Sequence, residues 1–294
     1  MAAEAYDGLL VLDKPGGPTS RDLVNRVQKW FPRGTKVGHA GTLDPLATGV
    51  LVVAVGRATR LTEYVQRMGK TYRTQLRLGC RSDTDDADGT VTPVPGAAEP
   101  PVERVDEVLR RFVGVIGQVP PAFSAAKVTG ERAYDLARRG EDVSLSARPV
   151  RIDRVERLAY GYPLLELEID CGKGTYVRSI ARDLGEALGC GAYVQTLRRT
   201  RIGPFGAGEA VPLDLPAGEA RRRLLPLAAA VSELPALRLP GRDVERLRSG
   251  QAVAVDPAAL PEVGEVAVID PADRLALIAE VIPGGRLKPA KVLT

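Results

Sequence analysis

Gly38-His39-Ala40-Gly41-Thr42-Leu43-Asp44-Pro45-Leu46-Ala47-Thr48-Gly49 is the most informative stretch of this 294-residue chain. Its glycines mark irregular backbone. The apolar run Val50-Leu51-Val52-Val53-Ala54-Val55 follows at once and predicts a buried strand. Loops held on rigid elements carry reactive groups. Asp44 is the one carboxylate in the stretch. Taken alone, it also fits a turn aspartate that caps its own backbone, because Asp-Pro initiates turns.

Upstream, Gly8 to Leu12 predicts a buried strand, closed by Asp13-Lys14-Pro15-Gly16-Gly17-Pro18. Thr19-Ser20-Arg21-Asp22 has capping-box spacing, with Asp in place of Glu. Leu23, Val24, Val27, Trp30 and Phe31 then predict a helix running to about Phe31. Downstream, Thr71 to Leu78 alternates as a half-buried strand, and Arg81 to Gly89 reads as a solvated acidic loop. Val102 to Phe112 predicts a helix, and Glu131 to Arg139 a shorter one. Leu165, Leu167, Ile169 and Cys171 share one face of a strand. After the Gly172-Lys173-Gly174 turn, Val177, Ile180, Ala181, Leu184 and Leu188 mark another helix.

From Val211 to Glu233 the composition shifts to Pro, Ala and Arg, as in a connecting segment. Beyond Pro235, Val266–Ile269, Leu275–Ala279 and Val281-Ile282 suggest a small β domain. The reading is an α+β chain with a catalytic body over 1–234 and an appendage over 235–294.

Composition narrows the chemistry. A hydrophobic fraction of 44% and a charged fraction of 27% are those of a globular chain with a sizeable core. The longest apolar run, Val50 to Val55, is far below the roughly twenty residues of a membrane helix. The N-terminus lacks the basic and apolar regions of a signal peptide, so a cytoplasmic protein is expected. Cys80, Cys171 and Cys190 form no Cys-x-x-Cys pair, which fits buried thiols in a reducing compartment. The single histidine, His39, excludes a histidine-cluster metal site and leaves any nucleophile relay one possible base. A net charge of +4 permits an anionic partner without requiring one. Basic residues cluster at Arg198-Arg199-Thr200-Arg201, at Arg221 to Arg223 and around Arg286, Lys288 and Lys291. Each cluster fits either a solvated face or a phosphate contact.

Arg178 falls on the first turn of the helix after Gly174, where it could ion-pair with a carboxylate at the core edge and keep it ionised. A solvent-facing arginine fits the same position. Tyr72 suits strand packing, and in a site it could stack on a base or accept a proton. The acidic loop fails the calcium-loop template. Aligned on Gly89, its first ligand would be Thr84 and its last Pro95. No phosphate-loop or dinucleotide fingerprint is present.

Four blocks in order resemble the bacterial tRNA pseudouridine synthase B family. They are Gly8 to Pro15, Gly38 to Gly49, Lys70-Thr71-Tyr72-Arg73 with the Asp-rich loop, and Cys171 to Gly185. Pro120 to Val128 and Arg132-Ala133-Tyr134 are also similar to the family, and the likeness extends from about Gly8 to Phe205. The resemblance implies a mixed sheet with helices, no metal or organic cofactor, and isomerisation of uridine 55 in the T-arm of tRNA. It implies Asp44 as the catalytic aspartate, Tyr72 as the active-site tyrosine and Arg178 as the aspartate's partner. Tyr176 would be a second aromatic of the site, Leu197 an apolar wall and His39 a support for the rearranged RNA loop. We group Lys14, Arg198, Arg199 and Arg201 with the substrate-binding residues. The C-terminal segment resembles a PUA-like RNA-binding domain. A monomer without membrane or obligatory protein partner is expected. A guide-RNA-dependent synthase and a tRNA-folding factor are the alternatives.

Overall fold

The computed structural model describes residues 6–124, 127–128, 131–132, 139, 145–256, 258, 261 and 264–293. Strand β1 (Gly8–Lys14) leads into helix α1 (Ser20–Gln28). Thr19 caps α1 as its spacing predicts: its hydroxyl accepts from the Asp22 amide, and the Asp22 carboxylate accepts from the Thr19 amide. The helix stops short of Phe31, and Trp30 and Phe31 reach the core from the turn beyond. Strand β2 (Val37–His39) then pairs antiparallel with β3 (Thr48–Val55), so the glycine-rich stretch is the connection between two adjacent strands.

Helix α2 (Thr62–Arg67) and strand β4 (Lys70–Leu78) follow. Strands β5 (Cys80–Ser82) and β6 (Val91–Pro93) form a hairpin that frames the acidic loop. Next come α3 (Val102–Arg110) and β7 (Gly114–Gln118). The helix expected from Glu131 lies mostly outside the described residues. Its first two residues instead form strand β9 (Glu131–Arg132), paired with β8 (Lys127–Val128). The long strand β10 (Arg148–Gly161) turns into β11 (Leu164–Cys171), helix α4 (Val177–Leu188) and strand β12 (Ala192–Ile202). Strand β13 (Phe205–Gly206) and helix α5 (Ala217–Arg222) complete the larger body.

The main sheet runs β1-β3-β12-β4-β11-β10-β7, with β2 on β3 and β13 on β12. The β3–β12 pair is parallel and the others are antiparallel. Close approach at that parallel pair requires glycine. A Cβ on Gly49, whose φ is +99°, would lie 2.1 Å from the Arg199 carbonyl oxygen. Helices α3 and α4 cover one face through Val105, Val108, Val177, Ile180 and Leu184, packed on Leu76, Leu165, Leu167 and Ile169. Helix α1 covers β1 and β3 through Leu23 and Val27.

The segment after Gly206 is sewn to the sheet edge. Val211 donates to the Val11 carbonyl at 2.7 Å, and Leu225 exchanges backbone bonds with Leu9. Strand β14 (Ala236–Arg238), helix α6 (Gly241–Arg248) and strands β15 (Val253–Ala254), β16 (Gly264–Ile269), β17 (Leu275–Ile282) and β18 (Arg286–Val292) form the remainder. Their five-stranded sheet has the order β14-β16-β17-β18-β15.

Candidate active site

Asp44 projects from the β2–β3 connection. Its apolar neighbours Leu43 and Ala47 are buried in the same core as Val177 and Ile180 of α4. Burial of those side chains therefore docks the loop against the helix that carries Arg178. The Arg178 guanidinium lies 3.0 Å from the Asp44 carboxylate. Its other amino group lies 3.2 Å from the carboxylate of Asp86. The same guanidinium donates to the Thr84 carbonyl at 3.1 Å and to the Phe123 carbonyl at 2.9 Å. A buried arginine thus bridges two carboxylates and two carbonyls, which fixes its orientation.

Burial raises the Asp44 pKa above the ordinary aspartate value; Arg178 opposes that shift, and the neighbouring charge of Asp86 adds to it. Arg178 thus favours the ionised carboxylate against a burial that disfavours it. The Asp44 side chain is 36% exposed against 6% for Arg178, so the cation is the more deeply buried of the pair.

Tyr72 is half-buried on β4, packed against the core that holds Leu197 of β12. Burial pushes its phenol pKa up. A phenol held neutral donates a hydrogen bond or stacks, and serves poorly as a base. Tyr176 caps α4 and is half-buried. His39 ends β2, also half-buried, just ahead of the loop. The structure thus brings Asp44, Tyr72, Arg178, Tyr176, Leu197 and His39 to the elements that converge on the β2–β3 connection.

Two of the expected substrate contacts are corrected. Lys14 is 0% exposed, and its ammonium donates to the carbonyls of Pro15, Pro45 and Ala47 at 3.0, 3.0 and 2.7 Å. Arg199 is 2% exposed and donates to the carbonyls of Val50, Thr42 and Gly41 at 2.8, 3.3 and 3.2 Å. Both cations are consumed by the loop backbone and are shut away from an external phosphate. They brace the loop from below, where buried carbonyls would otherwise lack donors. Arg198 pairs with Asp13 at 2.6 Å and Arg201 reaches Thr71 at 3.1 Å, and both keep exposed side-chain surface.

The acidic loop also departs from its reading as a solvated segment. Asp86 is 3% exposed and accepts from the Thr84 hydroxyl at 2.6 Å. Asp85 pairs with Arg182 of α4 at 3.2 Å. Sequence reasoning missed Asp86, and also Ser20 and Gln118, which are buried beside the site. The spacing Asp-Asp-Ala-Asp-Gly on a tight hairpin was the available signal for Asp86. Ser20 and Gln118 carry no charge pattern that singles them out.

Residues 29–177 match the model of the TruB family pseudouridylate synthase N-terminal domain, and residues 178–232 that of the tRNA pseudouridylate synthase B C-terminal domain. A tRNA pseudouridine synthase B from Cereibacter sphaeroides is 49% identical over 252 residues, covering 84% of this chain and 83% of that one. One from Ruegeria pomeroyi is 43% identical, covering 97% of this chain and 95% of that protein. Among solved structures, a Cbf5-Nop10-Gar1 complex matches with a TM-score of 0.75 at 25% identity, covering 98% of this chain and 85% of the other.

The matched domains and the fold are those of a pseudouridine synthase, an isomerase of RNA uridine. The chain belongs to the TruB family of these enzymes.

Proposed function

We propose that this enzyme isomerises uridine 55 in the TΨC loop of tRNA to pseudouridine, acting as a monomer in the cytoplasm without an obligatory protein partner. The observation that carries the reading is the Asp44 carboxylate, poorly solvated and held 3.0 Å from Arg178. The relatives named tRNA pseudouridine synthase B supply the substrate class.

The reaction breaks the bond between N1 and the ribose, rotates the base and joins C5 to the same ribose. The proton lost from C5 is balanced by one gained at N1. No redox step or hydrolysis is needed. Asp44 acts as nucleophile or as the anion that stabilises the sugar species. Arg178 favours the ionised form of that carboxylate.

The base must leave the folded loop, which costs a few kcal/mol of unstacking. Tyr72, Tyr176 and the Leu197 wall offset that cost by stacking and apolar contact. Arg198 and Arg201, whose side chains are 41% and 58% exposed, supply phosphate contacts. His39, beside the loop, fills space left by displaced bases. The C-terminal five-stranded sheet serves as a PUA-like RNA-binding appendage.

The likeness to the Cbf5-Nop10-Gar1 complex favours one second reading, a synthase that needs a guide RNA and protein partners. Purified protein and a bare tRNA transcript separate the two. Pseudouridine mapped at position 55 without additions is the expected result. Conversion only after a guide and partner proteins are added would overturn the stand-alone reading.

A further inference from the structure

Both members of the Asp44–Arg178 pair are held through the backbone, and in each case by a buried neutral side chain from another element. Ser20, 2% exposed on the first turn of α1, faces Leu43. Its hydroxyl accepts from the Leu43 amide at 2.8 Å and donates to the Leu43 carbonyl at 3.1 Å. Leu43 immediately precedes Asp44. Gln118, 1% exposed at the end of β7, faces Tyr176. Its side-chain carbonyl accepts from the Tyr176 amide at 2.8 Å, and its side-chain amide donates to the Tyr176 carbonyl at 3.1 Å. Tyr176 is the cap residue of α4 and has no side-chain cap of its own. Arg178 follows two positions later.

The two arrangements are chemically alike. Each satisfies both backbone groups of one residue with a single side chain, so that residue cannot rotate away without losing two bonds. They also converge on one quantity. Ser20 sets where the loop holds the carboxylate, and Gln118 sets where the helix start holds the guanidinium. The other contacts of the loop, from Lys14 and Arg199, go to carbonyls alone. They support the loop from below and leave its amide at Leu43 to Ser20.

We propose that Ser20 and Gln118 are positioning residues of the reaction, two clasps that fix the Asp44–Arg178 separation from opposite sides. The inference rests on Asp44 being the reacting carboxylate, as proposed above. A displacement of about 1 Å in a reacting group costs up to roughly 100-fold in rate, so loss of either clasp falls on the chemical step.

The test is single-turnover pseudouridine formation on a tRNA transcript, alongside tRNA binding, for the wild type and four variants. Ser20→Ala and Gln118→Met should each slow the step about 10- to 100-fold with affinity within about twofold of wild type. The acid limb of the rate should move to higher pH in both, because a more distant Arg178 stabilises the carboxylate less. Ser20→Thr, which keeps the hydroxyl, should recover the rate. Thr19→Ala, which removes the cap of the same helix, should leave the rate near wild type. Because the clasps sit on different elements, failure of one variant to fold leaves the other to decide. An active wild type whose Ser20→Ala and Gln118→Met variants keep full rate would overturn the proposal alone. So would losses confined to affinity, or a Thr19→Ala loss as large as that of Ser20→Ala. A wild type that forms no pseudouridine would overturn the parent reading and this inference with it.

Discussion

The charge balance at Asp44 sets what the enzyme can do with pH. Burial, with the charges of Asp86 and Asp88, outweighs Arg178 and Lys14, so the Asp44 pKa lies above the ordinary aspartate value of 3.8. In a folded protein such a raised group favours its protonated form. Its contribution to stability is greatest at low pH and is lost as pH rises through the folded pKa. Activity should run the other way, because the proposed reaction uses the carboxylate. The single-turnover rate should therefore fall on acidification with an acid limb above 3.8, read from a rate–pH profile. A limb at or below that value would mean that the arginine dominates. Lys14 and Arg199 illustrate why some residues mislead when read as letters. A basic residue after an apolar strand, or within an Arg-rich run, suggests phosphate. Here both point inward and are consumed by carbonyls of the loop that bears Asp44.

At the scale of elements, strands with clean periodicity were legible. Strands β1, β3, β4 and β11, the capped helix α1 and the amphipathic helix α4 all fall where their apolar spacing places them. Two long strands were not. Strand β12 carries Arg198, Arg199 and Arg201, and its inward residue Arg199 occupies a place where the pattern leads one to expect an apolar side chain. Two register shifts against β4 also break its alternation. Strand β10 has charged residues along most of its length and shifts register twice against β11, so no period survives in its sequence. The acidic loop looked solvated because its partner, Arg178, lies 92 residues away and meets it only in the fold. The parallel β3–β12 contact depends on Gly49. Gly49→Ala would press a methyl against the Arg199 backbone, and its positive φ adds strain. We expect a loss of about 2–4 kcal/mol, measured by urea unfolding with an unchanged slope. A loss below about 0.5 kcal/mol, the range of an ordinary surface change, would show that the strands can part freely.

Over the whole molecule, the small sheet is joined to the larger body by a shared core. Ala267, Ile269, Leu275, Ile278 and Leu293 pack with Leu61, Tyr64, Val65 and Met68 in one cluster. A polar rim surrounds that seam: Tyr64 donates to Glu265 at 2.9 Å, Arg67 pairs with Glu265 at 3.1 Å, and Lys291 pairs with Glu63. The buried part of the seam carries most of the energy, since exposed ion pairs contribute about 0–1 kcal/mol each. Calorimetry should show a single unfolding transition. Ile278→Ala should move all of it downward, with a cost of about 2–5 kcal/mol for a buried side chain cut back to Ala. Two transitions, only one of them shifted, would show that the appendage folds separately.

Asp44→Asn offers the sharpest test of the carboxylate's role, because it keeps the shape of the side chain and removes the charge. The variant should bind tRNA and yield no pseudouridine above background, with wild type forming it at one uridine. Wild-type yield from Asp44→Asn would contradict an aspartate-dependent isomerisation and leave tRNA folding as the function that the fold serves.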